Sequence, residues 1–289
     1  MTLSTDQQPD TAFPPMIGVI SSPLLNSWQQ KILHQLTHQL NARGVLMLLL
    51  NAATEQALAA QLTQAAPLGL RGLLLLPGAF SDSPPASILT TASLPVLQLD
   101  AEQVMQTDAR LAGEAIGPLL LAEGHQRLGY LQSQAGASPQ KQGYSASLMA
   151  ADQAICVDLV AGGNDREQGW QAMTDYLKQT RAAERIQALF CESDLLAFGA
   201  MQAIRDFGQG AHVAVVGFGD LDEAQSSTWH LTSWSVNIER AINDALNRLL
   251  GPCAAQGETG GEGGLKRRHS HLGKQRPGEM SECGCAHRH

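Results

Sequence analysis

The sequence predicts an α/β protein of two similar lobes, each built on a parallel sheet. Three observations carry this. Short continuous apolar runs recur along the chain, as expected for strands buried on both faces. Segments of helical periodicity fill the intervals between them. The whole pattern then starts again near residue 127, giving two successive βαβ sets, each too short for a large enzyme domain.

In the first set, MIGVI (16–20) is a strand, followed by the loop SSPLLN. Trp28, Ile32, Leu33, Leu36 and Leu40 recur at helical spacing, and Asn41 and Gly44 end that helix. VLMLLL (45–50) is the second strand, and a helix around Leu58 and Leu62 stops at Pro67. GLLLLP (72–77) and PVLQLD (95–100) are the third and fourth strands, and a helix then runs from about Asp108 to Ala122, broken at Gly124. The second set comprises RLGYLQS (127–133), AICVDLV (154–160), QALFC (187–191) and VAVVGF (213–218), with helices around 166–180 and 194–207. LTSWSV (231–236) is a short strand or crossover, followed by a helix over Ile238–Leu250. Residues 252–264 are Gly-rich and carry no core, which predicts a linker. Residues 1–13 and 273–289 read as disordered ends.

With 289 residues, 44% of them hydrophobic, the chain can bury a sizeable core. A net charge of −8 argues against a surface that coats nucleic acid. The charge is uneven: residues 1–250 carry 13 Lys and Arg against 23 Asp and Glu, while 265–289 carry 6 against 2. The start, MTLSTDQQPDTAFPP, has neither a charged n-region nor an apolar h-region, so it is not a secretory signal. No apolar run approaches the ~20 residues that span a bilayer. The expectation is a cytoplasmic protein with no membrane partner. Cys156 and Cys191 lie in strand-like runs and read as reduced core residues. In the terminal CGCAHRH, Cys283, Cys285, His287 and His289 could ligate a metal, but their spacing fits no zinc-finger pattern and a solvated tail is preferred. No metal or cofactor is expected.

Between the strand QALFC and the next helix stands a polar trio, Glu192-Ser193-Asp194. A Ser or Asp there caps the first free N–H groups of the helix, and the helix dipole favours a carboxylate. Capping explains one residue well, not three. Ligands bind at the C-termini of strands in open parallel sheets, so the trio is also a candidate site. A nicotinamide dehydrogenase would need G-x-G-x-x-G after the first strand; GVISSPLLNS has none, and GFGDLD lacks the third Gly. No Ser-His-Asp set or metal-ligand set recurs in one place. The chain is expected not to be an enzyme.

Five segments in order resemble the lactose-repressor (LacI/GalR) family of transcriptional regulators. GHQRLGYLQS (124–133) after an Asp-led helix resembles its "GH-R-I" crossover, and FCESDLLAFGAMQAI resembles its strand–(N/S)D–helix segment. VAVVGFGDLD (213–222) is similar to its "isVvGfDd" strand, LTSW to its "LTTi" return, and Leu265 to Ser270 to its closing L-x-x-R-x-S strand. The similarity spans roughly residues 14–272. It implies a periplasmic-binding-protein-like type I fold: two Rossmann-like lobes with parallel sheets, joined by three crossovers near Gly124, near Val236 and around 260–264. The lobes would be 14–124 with 236–262, and 125–235 with 263–272.

The resemblance also implies a repressor's effector-sensing core. A small-molecule effector, a sugar or sugar acid, would bind between the lobes, and closure would alter the grip of an attached helix-turn-helix on operator DNA. A homodimer is implied as well. The alternative is a solute-binding protein of the same fold for sugar uptake or sensing, which the missing signal peptide argues against. Only 13 residues precede PPMIGVI, and no T-V-S-R recognition helix or basic N-terminal patch appears. Operator binding by this chain alone is therefore not expected.

Ligand groups in such a protein sit at strand C-ends. First-lobe candidates are Ser21 and Ser22 after strand one, Trp28 at the head of the first helix, Phe80 after strand three, and Asp108. Asp108 matches the family's cleft-facing acid before the crossover helix, or is an N-cap. From the second lobe, Trp170 lies where the family has a Trp against its sugar, or is a core Trp. By resemblance Ser193 points at the effector, while Asp194 caps the helix and fixes the loop. The family's effector-binding Arg is Gln140 here, with Lys141 next, and KQGY resembles gluconate-type regulators, so Lys141 would meet the anionic end of a sugar acid. The family's cleft Asp is Gly219, with Asp220 one place later.

Overall fold

The structure, a computed structural model, describes residues 14–51, 54–77, 79–80, 94–99, 102–208, 212–252 and 263–273. The expected disordered ends, the Cys/His cluster at 283–289 and most of the 252–264 linker lie outside the described residues.

The strands are β1 (Met16–Ser21), β2 (Leu46–Asn51), β3 (Leu70–Leu75), β4 (Val96–Gln98), β5 (Leu128–Gln132), β6 (Ile155–Val160), β7 (Ala188–Cys191), β8 (Ala214–Phe218), β9 (Thr232–Ser235) and β10 (Gly264–Lys266). The helices are α1 (Ser27–Ala42), α2 (Glu55–Ala65), α3 (Glu102–Ala122), α4 (Pro139–Met149), α5 (Arg166–Gln179), α6 (Asp194–Phe207) and α7 (Ile238–Leu250). By contacts the chain divides into two units, Met1–Glu102 with Ile238–Gly260, and Gln103–Asn237 with Gly261–His289.

The first unit holds a four-stranded parallel sheet in the order β2-β1-β3-β4. Its apolar runs are continuous because alternate residues serve opposite faces. Ile17, Val19, Leu74 and Leu76 pack with Ile32, Leu36, Ile242 and Leu246 of α1 and α7, while Ile20, Leu73 and Leu75 pack with Leu58 of α2. Asn26 caps α1 through a reciprocal capping box with Gln29, and Thr54 caps α2.

The second unit holds a six-stranded sheet in the order β10-β9-β8-β7-β5-β6, parallel except that β10 runs antiparallel to β9. The segment read as a strand or crossover is thus β9, inside this sheet. One face packs Leu131, Leu189 and Val215 against Met173, Leu177, Leu196 and Ala200 of α5 and α6. Tyr130, Tyr144 and Phe190 stack edge-on elsewhere in the unit, with Tyr144 and Phe190 centroids 5.3 Å apart.

Three sequence expectations are corrected. Helix α4 lies where none was expected. Its Ser138 cap and Pro139 at the first turn are ordinary start signals, but its apolar periodicity is weak because it packs through its backbone. A Cβ on Gly113 of α3 would fall 2.2 Å from the Gln140 carbonyl, and one on Gly143 would fall 2.2 Å from the Arg110 carbonyl. That close crossing places α3 with the second unit, so the first unit ends near 102 and not at 124. Cys156 is exposed, because edge strand β6 alternates in and out; Cys191 is buried, and burial pushes its thiol well above the ordinary range.

Candidate functional site

In the second unit β5, β6 and β7 run parallel, so their C-termini share one edge of the sheet. Glu192 follows β7 directly. Its N–H donates to the Leu131 carbonyl at 2.9 Å, and its own carbonyl accepts Gln140 Nε2 at 3.1 Å. Its carboxylate Oε2 accepts both the Ser133 N–H at 2.6 Å and Ser133 Oγ at 2.7 Å. Ser193 is the N-cap of α6: its backbone is extended and its Oγ accepts the Leu196 N–H at 3.3 Å. The same hydroxyl bonds Asn164 Oδ1, in the loop between β6 and α5. On the β6 side, Lys141 Nζ pairs with Asp158 Oδ2, and Gln132 Nε2 donates to Asp158 Oδ1 at 2.9 Å. Tyr130 Oη and Ser138 Oγ lie 3.0 Å apart, and burial raises the Tyr130 phenol well above its ordinary range, which keeps it a neutral partner.

Of the expected residues, Gln140, Lys141 and Ser193 meet in this network. Asp194 does not: it is fully buried, with Oδ1 accepting Ser233 Oγ at 2.6 Å and Oδ2 accepting the Leu221 N–H at 2.7 Å. It ties α6 to the segments around β8 and β9, and a Cβ on Gly217 would fall 2.2 Å from its Oδ1. The expected division of labour is thereby altered: Ser193 caps, and Asp194 fixes the loops. Asp220, with a left-handed φ of 50°, pairs through Oδ1 with Arg268 at 2.7 Å and serves the closing segment. Asp108 lies inside α3, not at its start, because the helix begins at Glu102, so it is no N-cap. Its Oδ2 accepts the Asn237 N–H at 2.9 Å, and a Cβ on Gly263 would fall 2.6 Å from both carboxylate oxygens. It ties the connecting segments together.

Trp170 is also placed elsewhere. It lies beyond the first turn of α5, its Nε1 donates to Asp206 Oδ2 at 2.9 Å, and it lines a cavity of about 430 Å³ with Arg166, Phe198, Gln202 and Trp229. The guanidinium of Arg166, one of its lining groups, holds Glu223 below its ordinary pKa.

The first unit has its own strand-end network. Ser21 is buried and its Oγ donates to the Ser22 carbonyl at 3.3 Å. Gln29, also buried, accepts Ser22 Oγ and the Asn26 N–H on Oε1, each at 3.1 Å, and donates Nε2 to the Pro77 carbonyl at 2.8 Å, joining the ends of β1 and β3. Trp28 and Phe80 are packed against the two cores.

Sequence reasoning missed Ser133, Asp158 and Asn164, and noticed Glu192 without assigning it a role. The available signal was position: Ser133 and Glu192 directly follow strands, and Asn164 directly precedes the cap Asp165. Among the described residues, no helix is long and apolar enough to cross a membrane and no three metal-ligating side chains cluster.

Residues 14–251 match the family described as periplasmic binding proteins and sugar binding domain of LacI family. The chain is 24% identical over 247 residues to the HTH-type transcriptional repressor PurR of Mannheimia succiniciproducens, covering 81% of this chain and 73% of that protein. The transcription regulator GntR from Chromobacterium violaceum has a similar structure, with a TM-score of 0.59 at 26% identity over 89% of this chain and 99% of that one. A LacI-family transcriptional regulatory protein from Corynebacterium glutamicum gives a TM-score of 0.61 at 19% identity, over 88% and 97% of the two chains. The matched span takes in every described strand except β10 and both strand-end networks, and the chain belongs to the family of periplasmic binding proteins and LacI-type sugar-binding domains.

Proposed function

We propose that the chain is the effector-sensing domain of a transcriptional repressor, and that it binds a small sugar at the strand-end network of the second unit. The observation that carries this reading is the pattern of unused hydrogen-bonding capacity there. Among the described residues, Glu192 Oε1 and Asn164 Nδ2 make no hydrogen bond, although the groups beside them do. An unused acceptor on Glu192, and an unused donor on the Asn164 amide that meets the Ser193 hydroxyl, suit sugar hydroxyls, each of which gives one hydrogen bond and takes others. The relatives are repressors and regulators, which favours sensing over solute uptake. A homodimer fits the exposed Leu46 and Leu49 on edge strand β2. Sedimentation at micromolar concentration tests it, and a clean monomer overturns it.

The direct test is a thermal-shift screen of the whole chain against sugars, sugar acids and purines. A ligand at about 100 times its Kd adds ~2.7 kcal/mol of stability. The account expects a sugar to raise the melting temperature, and Asn164→Ala and Ser193→Ala to shrink that rise relative to each variant's own unliganded value. No response to any class, or a full response in both variants, overturns the reading.

A further inference from the structure

We infer that Glu192 selects the effector by charge, favouring a sugar that brings an amino group and rejecting one that brings a carboxylate. The inference rests on the strand-end network being the sugar site.

Three charged side chains stand in that network. Two cancel: Lys141 Nζ is paired with Asp158 Oδ2 and also donates to the Gly136 carbonyl at 3.4 Å. Asp158's second oxygen takes Gln132 Nε2 at 2.9 Å, so the pair is satisfied within the chain. Glu192 is different. Both of its carboxylate hydrogen bonds come from neutral donors on Ser133, and both fall on Oε2. Among the described residues it forms no ion pair, and Oε1 accepts nothing. Its backbone is clamped on both sides, by Leu131 and by Gln140, so the carboxylate is held in place before any ligand arrives. Lys141 is the one cation in the sequence from 128 to 165, and Arg166 is turned to Glu223 and the face of Phe198.

The network therefore presents one uncompensated negative charge. A ligand ammonium there makes a charge-assisted hydrogen bond with Oε1, whereas a ligand carboxylate meets a like charge. A sugar acid that reached Lys141 would share its charge with Asp158 and would still meet the carboxylate of Glu192. The sugar-acid expectation drawn from Lys141 is thus replaced by the opposite preference.

Calorimetric titration of the full chain with glucosamine, glucose and glucuronate, at a pH that keeps the amine charged, tests the inference. The expected order of affinity is glucosamine, glucose, glucuronate. Glu192→Gln, which keeps an acceptor for Ser133, should cut the glucosamine preference over glucose by about tenfold or more and should improve glucuronate binding. Lys141→Met should leave the order unchanged. If the wild-type order stands and Glu192→Gln does not alter it, or if glucuronate binds best and Lys141→Met abolishes that, the inference is overturned while the sugar site survives. If none of the three sugars binds the wild-type chain, the sugar reading itself falls, and the inference with it.

Discussion

The two strand-end networks are built alike and finished differently. In the first unit the hub is a side-chain amide, Gln29, whose oxygen takes two hydrogen bonds and whose nitrogen gives one. That hub binds β1 to β3 and is engaged by the chain itself at both its oxygen and its nitrogen. In the second unit the corresponding place, between β5 and β7, holds a carboxylate, Glu192, with one oxygen saturated and the other not. The difference teaches where selectivity resides. A neutral hub fixes geometry, whereas an anchored carboxylate with one oxygen unused fixes geometry and also discriminates by charge.

The sharpest way to break this comparison is through the residues that support each network. Asp194→Ala should have the largest effect. It leaves the half-buried Leu221 N–H and the buried Ser233 hydroxyl without their charged acceptor, which should cost roughly 3–5 kcal/mol in urea denaturation. A loss below about 1 kcal/mol would mean that Asp194 is not the tie described here. Gln29→Ala comes next: it strips partners from the Pro77 carbonyl and the Asn26 N–H, at roughly 1–3 kcal/mol. It should leave the ranking of charged and neutral sugars untouched. A change in that ranking would move the charge selection to the first unit. Ser193→Ala removes a helix cap, at about 1 kcal/mol, and should weaken all sugars alike.

The smallest effect concerns acidity. His271 is buried, its Nδ1 lies 2.8 Å from Thr232 Oγ1, and burial lowers its pKa from 6.5, with Arg267, His125 and His269 acting the same way and Glu123 opposing. A His with a depressed folded pKa contributes stability that is fully present above the unfolded value and declines as pH falls below it. Stability should therefore fall as the pH drops below about 6.5, and less steeply in His271→Gln. Equal slopes in the two proteins would remove His271 from the account. The sugar-site network of the second unit should keep its ligand ranking over the same range.

Much of the fold was legible because apolar runs and helical periods survive in one sequence. What stayed hidden depended on contacts between backbones or between strands. Helix α4 was missed because Gly113 and Gly143 let two helices meet without a side-chain stripe. Lys141 stood out as a cation, but its neutralising partner sits on β6, which only the register of Tyr130 against Asp158 brings near. Trp170 was matched by its place to the family's Trp, yet the Asp165 cap fixes the start of α5 and makes Asn164 the residue beside Ser193. Glu192 was legible by position alone. Its meaning came from Ser133, which belongs to the neighbouring strand's end.

Amide hydrogen exchange, with and without the sugar that gives the largest thermal shift, tests the central claim most directly. The account predicts added protection in residues 133–141, 161–166 and 191–196, where the second unit's network lies. Protection confined to the Trp170 and Trp229 cavity, with those three segments unchanged, would contradict it.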